Sequence, residues 1–325
     1  MVPFVNIKVA RSTLTALAFL LSTVFDSTAT DYPNRTITLV VPRPPGGGVD
    51  AMARVMAAKL SNALKQQVII DNRGSAGGTI GTREVAQAKP DGYTLLLGHT
   101  GTIAINPTLY AYAGYDPRKD FVAVGLIAAM PLALIVNPSF TAKSVAEVAA
   151  KQQRGKLNLG TTSTGGYLCA EMFKAATGAD IVIIRYNGTA SLVNDLIGGH
   201  VQVAFSPLPP ALGNIRAGNL RVLAVTSAKR LSLLPDVPTF DESGLPGFEA
   251  VLHYGLLAPA GTPEEIVDKL SVELRKLVDT DDVKQRIQAE GGDPMTSTPA
   301  EYAADIEKEV TKWSTLIRKL NLKVK

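Results

Sequence analysis

Strand and helix signals alternate along most of this chain. Runs of β-branched and other apolar residues are followed by segments in which apolar residues recur every three or four positions. A first series of this kind covers residues 37–97, and a second covers residues 132–226. Alternating strands and helices predict parallel sheets with helices on both faces. Two such series predict an α/β protein with two lobes.

Glycine, proline and capping residues suggest where the elements begin and end. We expect strands at 37–41, 68–71, 93–97, 132–136, 157–160, 181–185, 201–205 and 222–226. Helices are expected to end near residues 64 and 88, to span 144–153 and 190–197, and to lie within 165–178. The last part is predicted to be helical over 263–279, 281–290 and 299–320, with Thr262 capping the first of these helices.

A glycine-rich loop follows the first expected strand. Prolines end the apolar run of residues 37–41, the glycines Gly46 to Gly48 come next, and Asp50 is placed to cap a helix. Free N–H groups at the positive end of a helix dipole predict an anion site, and a plain strand-to-helix turn is the alternative. The phosphate-binding and dinucleotide glycine motifs are absent, although Asp71, roughly 20 residues on, keeps a nucleotide site as a further alternative.

Polar loops follow the expected strands in both halves of the chain. They lie at 44–50, 73–79, 98–102, 161–166, 187–191 and 206–210. Ligands of open α/β sheets bind outside the carboxyl ends of the strands. Loops of this kind from both halves predict a ligand cleft between two lobes.

The first 29 residues have the pattern of a cleavable secretory signal. Lys8 and Arg11 give a basic start, residues 14–21 give a short apolar stretch, and Ser27-Thr28-Ala29 offers a cleavage site. The stretch is shorter than the ~20 residues that a membrane-spanning helix needs. We therefore expect a signal peptide at 1–29 and an exported mature chain. Cys169 is the only cysteine, and its apolar neighbours predict a buried, inert thiol.

Charge and composition give little support for nucleic-acid binding or catalysis. The formal charge is +4, and the basic residues are scattered. The three histidines are His99, His200 and His253, and no protease motif, nucleophile elbow or metal-ligand spacing is present. His99 follows an expected strand and is considered as a ligand contact, a structural hydrogen-bonding group or a catalytic base. We predict no catalytic residue, no metal site, no cofactor and no nucleic-acid partner.

Many segments match, in order, one known family. They include 37–50, Val68-Ile69-Ile70-Asp71-Asn72-Arg73, Ala76-Gly77-Gly78, Ala88-Lys89-Pro90-Asp91-Gly92-Tyr93-Thr94-Leu95-Leu96, 105–107, 115–121, 195–199, 223–227, 234–239, 244–247 and 258–263. On these segments the whole mature chain resembles the solute receptors of tripartite tricarboxylate transporters, also called the Bug family. The resemblance implies a two-lobe periplasmic-binding-protein fold, type II-like, with the ligand cleft between the lobes.

The resemblance also implies an organisation and a function. Lobe one would comprise 30–125 and 252–325, lobe two would comprise 126–251, and crossings near 121–132 and 250–257 would form the hinge. The implied protein is a monomeric periplasmic receptor, not an enzyme. It would capture a small organic carboxylate by hinge closure and deliver it to the membrane permease subunits of a tripartite transporter. A ligand-sensing receptor for a signalling system and an exported enzyme acting on a carboxylate are the alternatives.

The expected ligand-binding residues come from the loops named above. In lobe one they are Pro45, Gly46, Gly47, Gly48, Asp50, Ser75, Ala76, Gly77, His99 and Thr100. In lobe two they are Thr162, Ser163, Thr164, Gly165, Asn187, Gly188, Thr189 and Ser206.

Several positions in or beside these loops depart from the family pattern. Arg43 stands where an aromatic or apolar residue is usual, Asn187 where Lys is common, and Ser206 where Asp is common. No specific ligand is therefore carried over. The loops 44–48, 74–79, 161–166 and 187–191 contain no acid, which predicts a ligand without an ammonium group because a buried ammonium needs a partner. Dicarboxylates, hydroxy acids and aromatic carboxylates are the candidates.

Overall fold

Ten strands form the sheets within residues 32–151 and 157–324, the parts of the chain that the computed structural model describes. The strands are β1 (Ile37–Val41), β2 (Val68–Asn72), β3 (Thr94–His99), β4 (Phe121–Val136), β5 (Leu157–Thr161), β6 (Ile181–Arg185), β7 (Val203–Pro207), β8 (Arg221–Val225), β9 (Val251–Pro259) and β10 (Asp293–Pro294). The predicted signal peptide at 1–29 lies outside the described residues.

The α-helices of these ranges lie mainly between the strands and after β9. They are α1 (Gly48–Leu64), α2 (Thr79–Ala86), α3 (Asn106–Leu109), α4 (Val145–Lys151), α5 (Thr164–Thr177), α6 (Thr189–Ile197), α7 (Leu212–Arg216), α8 (Glu264–Val278), α9 (Asp281–Ala289) and α10 (Pro299–Lys319). None of the described helices is both long and apolar enough to cross a membrane.

Strand β4 belongs to two groups of strands. Over Phe121–Pro131 it pairs with β9, and over Leu132–Val136 it pairs with β7 and β8. The order on one side is β2-β1-β3-β9-β4, with β10 also on β4, and the order on the other side is β4-β7-β5-β6. We call these the first sheet and the second sheet. The predicted bounds of the two lobes stay a prediction.

The outer strands of both sheets are parallel, as predicted. β1 pairs with β2 and β3, and β5 pairs with β6 and β7, all in parallel. At the junction the pairing is antiparallel, between β9 and its neighbours β3 and β4, and between β4 and both β7 and β8. The expectation of parallel sheets does not hold there, because β4 runs from the first sheet into the second and is antiparallel to its neighbours in both.

Helices α1 and α10 show how the sequence pattern produces the core. On α1, Met52, Met56, Leu60 and Leu64 are buried, and their spacing of four residues places them on one face, against β1 and β2. Helix α10 begins with a capping box, in which the Thr298 hydroxyl accepts from the Glu301 N–H and the Glu301 carboxylate accepts from the Thr298 N–H. Its apolar face packs against β4 and buries Trp313 completely.

All eight predicted strands are present, most with bounds shifted by a few residues. The strand predicted at 132–136 is only the last part of β4, which begins at Phe121. Strands β4 and β9 were expected as crossings and not as long strands. Their residues are buried almost without interruption, so the alternation that identifies a half-exposed strand is missing.

Two capping predictions are wrong. Helix α1 begins at Gly48 with Gly47 as its N-cap, so Asp50 lies in its first turn and accepts from the Gly46 N–H at 3.0 Å. Helix α8 begins at Glu264 with Pro263 as its N-cap. The Thr262 hydroxyl makes no cap because it donates to the Pro259 carbonyl of the preceding turn at 2.8 Å.

Candidate functional site

A cavity of about 540 Å³ lies where loops that follow first-sheet strands meet loops that follow second-sheet strands. The volume is in the range of small-molecule sites. It is lined by Arg43, Pro44, Pro45, Gly46, Gly47, Gly48, Val49, His99, Thr162, Ser163, Asn187, Gly188, Thr189, Ala190, Val193, Asn194, Pro207, Pro210, Asn214, Leu252 and Tyr254. The structure thus brings together ten of the predicted residues, those of 45–48, His99, Thr162, Ser163 and 187–189.

The glycine loop gives the cavity the N-terminus of helix α1. Gly47 is the N-cap, and no side chain caps the helix there. Gly46 has a φ of +86°, a conformation in which glycine is favoured, and it turns the chain into the helix. A Cβ placed on Gly47 would have no neighbouring atom within 4 Å. The loop therefore presents backbone and a positive helix end to an open space.

Asp50 holds this loop in shape and does not line the cavity. Its side chain is buried and accepts hydrogen bonds from the Gly46 N–H, from Arg54 and from Asn72, each at 3.0 Å. Burial alone would raise the pKa of Asp50, but these hydrogen bonds outweigh it and lower the pKa below its ordinary value. The carboxylate is thus engaged by the protein.

A second helix N-terminus faces the cavity from the second sheet. Helix α6 begins at Thr189 after Gly188, its N-cap, and no side chain caps it. Helix α5 differs, because the Ser163 hydroxyl accepts from the Gly166 N–H at 3.0 Å and caps its own helix. The amides of Asn187, Asn194 and Asn214 add polar groups to this wall.

Arg43 is the charged side chain among the described residues that line the cavity. It follows β1, is half-buried, and its Nη2 donates to the Thr162 carbonyl at 3.0 Å. This bond joins a residue after a first-sheet strand to a residue after a second-sheet strand. Burial lowers the pKa of Arg43, but a guanidinium remains protonated in proteins. The cavity therefore contains a fixed cation.

His99 ends strand β3 and is only 5% exposed. Its Nδ1 accepts a hydrogen bond from the Gly101 N–H at 3.0 Å. Burial, and then the charge of Arg43, lower the pKa of His99 to about 3, so the ring is neutral near pH 7. With Nδ1 accepting, the proton sits on Nε2, which has no hydrogen-bond partner among the described residues. This geometry favours a hydrogen-bond donor over a catalytic base.

The other predicted site residues lie around the cavity and do not line it. Ser75, Ala76 and Gly77 form a 3₁₀ turn, and the Gly77 carbonyl accepts from Asn106 at 3.0 Å. The Thr100 hydroxyl accepts from the His253 N–H at 2.8 Å.

Three further predicted residues belong to the second-sheet side. Thr164 and Gly165 form the first turn of α5, where a Cβ on Gly165 would lie 2.6 Å from a Leu252 methyl. The Ser206 hydroxyl is buried and donates to the Pro207 carbonyl at 3.0 Å. These residues shape the walls through packing and hydrogen bonds within the protein.

Eleven lining residues are not among those predicted from the sequence. They are Arg43, Pro44, Val49, Ala190, Val193, Asn194, Pro207, Pro210, Asn214, Leu252 and Tyr254. Five of them lie in loops that were named as polar, and Arg43 could have been found because it directly precedes the glycine loop. Nothing in the local pattern marks Asn214 or Tyr254, whose positions depend on how the two sheets meet.

The lining groups can bind an anion. Among the described lining residues there are donors and amides, no carboxylate and no cysteine. Cys169 is completely buried in α5, as predicted, and burial raises the pKa of its thiol. Within the described ranges, no group of three His, Cys, Asp or Glu side chains could hold a metal ion.

Comparison with known proteins agrees with this geometry. Residues 52–322 match the model of the tripartite tricarboxylate transporter family receptor. Protein BugT of Bordetella pertussis is 35% identical over 302 residues, covering 91% of this chain and 93% of BugT.

Two similar proteins have solved structures with a small carboxylate. Rpa4515 of R. palustris with adipate is 35% identical, with a TM-score of 0.85 over 90% of this chain and 99% of that one. MatC of Rhodopseudomonas palustris with bound malate is 32% identical, with a TM-score of 0.82 over 88% of this chain and 100% of that one. The α/β, two-lobe periplasmic-binding-protein fold that was predicted is therefore confirmed.

Proposed function

This chain belongs to the tripartite tricarboxylate transporter receptor family, and on that premise we propose that it captures a small organic carboxylate by closing its two lobes. It then delivers the carboxylate to the membrane permease subunits of a tripartite transporter. The proposed protein is a monomeric binding protein without catalytic activity. It acts in the periplasm after removal of the signal peptide at 1–29.

The observation that supports carboxylate binding most directly is the chemistry of the cavity. Two uncapped helix N-termini and the Arg43 guanidinium offer hydrogen-bond donors, and no carboxylate lines the cavity among the described residues. An anion satisfies these donors. A ligand ammonium would lie close to Arg43 without an acidic partner, which is costly in a closed site.

The relatives support the same ligand class. One is described with adipate and another with malate, and both are small dicarboxylates. For this chain the candidates are dicarboxylates, hydroxy acids and aromatic carboxylates. Closure is supported by the connections between the two sheets, since β4 runs from the first sheet into the second and Arg43, which follows β1, donates to the carbonyl of Thr162, which follows β5.

Isothermal titration calorimetry with malate, adipate, terephthalate and aspartate tests the proposal. Malate and aspartate are a matched pair, because an ammonium replaces the hydroxyl. We expect at least one of the carboxylates to bind with a micromolar or lower Kd, and aspartate not to bind. If no carboxylate binds, or if aspartate binds as tightly as malate, the proposal is wrong.

Two further measurements distinguish the alternative functions. NMR of the ligand after long incubation should show it unchanged, whereas conversion would identify an exported enzyme. Uptake of the labelled carboxylate by cells should be lost when the gene for this protein is deleted. Uptake that continues unchanged would indicate a sensing receptor instead.

A further inference from the structure

We propose that Arg43 binds a second acidic group of the ligand, so that the cleft selects dianions over monocarboxylates of the same shape. The inference rests on the proposed function and names the side chain that sets its specificity.

Arg43 is positioned for this role by the protein. The Thr162 carbonyl accepts from Nη2 at 3.0 Å, which holds the guanidinium at the cavity wall. A guanidinium has five N–H donors in a planar fork, so several remain for a carboxylate. Because the Thr162 bond already restricts the side chain, less rotamer entropy is lost when an anion binds.

The positive potential around the cavity exceeds what one carboxylate neutralises. The uncapped N-termini of α1 and α6 lie at the cavity, and each helix end carries about half a positive charge. With Arg43 the total approaches two positive charges, and no described lining residue is acidic. Asp50 offsets part of the α1 end, but Arg54 pairs with that carboxylate. A dianion is therefore the complementary ligand.

Matched pairs of ligands test the proposal. In each pair, the second ligand carries a methyl group where the first carries its second carboxylate. The pairs are adipate and hexanoate, malate and 3-hydroxybutyrate, and terephthalate and 4-methylbenzoate. For the pair that binds the wild-type protein, calorimetry should show the dianion at least about tenfold tighter. Arg43→Gln should weaken the dianion by roughly 10- to 150-fold, as expected for a charge-assisted hydrogen bond, and the monocarboxylate by no more than about threefold.

Two control variants accompany this measurement. Arg43→Lys keeps the charge and loses the planar fork, so its effect on the dianion should lie between those of wild type and Arg43→Gln. Arg230→Gln makes the same charge change at an exposed side chain that pairs with Glu242, and neither residue lines the cavity. It should leave both affinities unchanged. Circular dichroism of each variant checks the fold.

The outcomes separate this inference from the proposed function. Equal wild-type affinity for both members of a pair overturns the inference, and so does an equal loss for both members in Arg43→Gln. If no carboxylate binds the wild-type protein, the proposed function itself fails. Should Arg43→Gln not fold, the wild-type ratio of the two affinities and the Arg43→Lys variant still test the inference.

Discussion

The substitution Gly47→Val separates the binding role of the glycine loop from its role as a turn. Gly47 has a φ of −94° and a ψ of 173°, which any residue can adopt, and a Cβ there would meet no atom within 4 Å. The fold should therefore accept valine. The same residue lines the cavity and caps α1, so the added carbons should crowd an anion that approaches the helix N-terminus.

The expected loss follows from the hydrogen bonds that valine would prevent. A hydrogen bond to a charged group contributes about 1.5–3 kcal/mol, so the loss of one weakens binding roughly 10- to 150-fold. At a ligand concentration of about 100 Kd, the wild-type protein gains about 2.7 kcal/mol of stability from the ligand. A variant that binds about thirtyfold more weakly gains about 0.9 kcal/mol at that concentration.

Thermal unfolding with and without the carboxylate that binds best measures this difference. For a chain of this size the two gains correspond to shifts of about 5 °C and about 2 °C in Tm. The Tm without ligand should be the same in both proteins. Gly213→Val is the matched control, because a Cβ there also meets no atom and Gly213 does not line the cavity. If Gly47→Val shows the full wild-type shift in Tm, the loop does not contact the ligand at Gly47 and is only a turn.

Three more predictions follow from the structure. Asp50→Asn should destabilise the protein by about 1.5–3 kcal/mol at pH 7, as measured by urea unfolding. Because the pKa of Asp50 is lowered in the folded protein, this difference in stability should shrink as the pH falls below about 4. A difference that does not depend on pH would contradict the role of the carboxylate. Gly255→Ala should cost about 1–3 kcal/mol, because its Cβ would lie 2.4 Å from the buried Tyr302 ring, whereas unchanged stability would refute that packing. Small-angle scattering should show compaction on saturation with the bound carboxylate, and an unchanged profile with proven binding would argue against hinge closure.

The parts of the fold that were predicted well are those in which apolar residues recur with a clear helix or strand period. β1 and β6 have the bounds that were read from the sequence, and α1 ends at Leu64 as expected. β4 did not show such a pattern, because it is buried on both faces and contains Pro131 where its partner changes from β9 to β7 and β8. Proline inside a strand normally argues against a strand, and here it coincides with the exchange of partners.

Predicted residues line the cavity where their loop directly follows a strand that ends at the cleft. Gly47, Thr162 and Gly188 satisfy that condition, and all three line the cavity. Tyr254 lies inside β9 and reaches the cavity because of the way the two sheets meet, which local pattern does not encode. Ser75 was expected at the site because its loop follows β2, but that loop folds into a 3₁₀ turn.

Carboxylate binding in the cleft can be tested most simply by native mass spectrometry of the protein purified without denaturation. We expect the protein to retain a small organic acid with at least one carboxylate and no ammonium group, and the mass of that acid to stay unchanged on incubation with the protein. Retention of an amino acid or another ammonium compound would contradict this expectation, because none of the described cavity-lining residues offers an ammonium group an acidic partner.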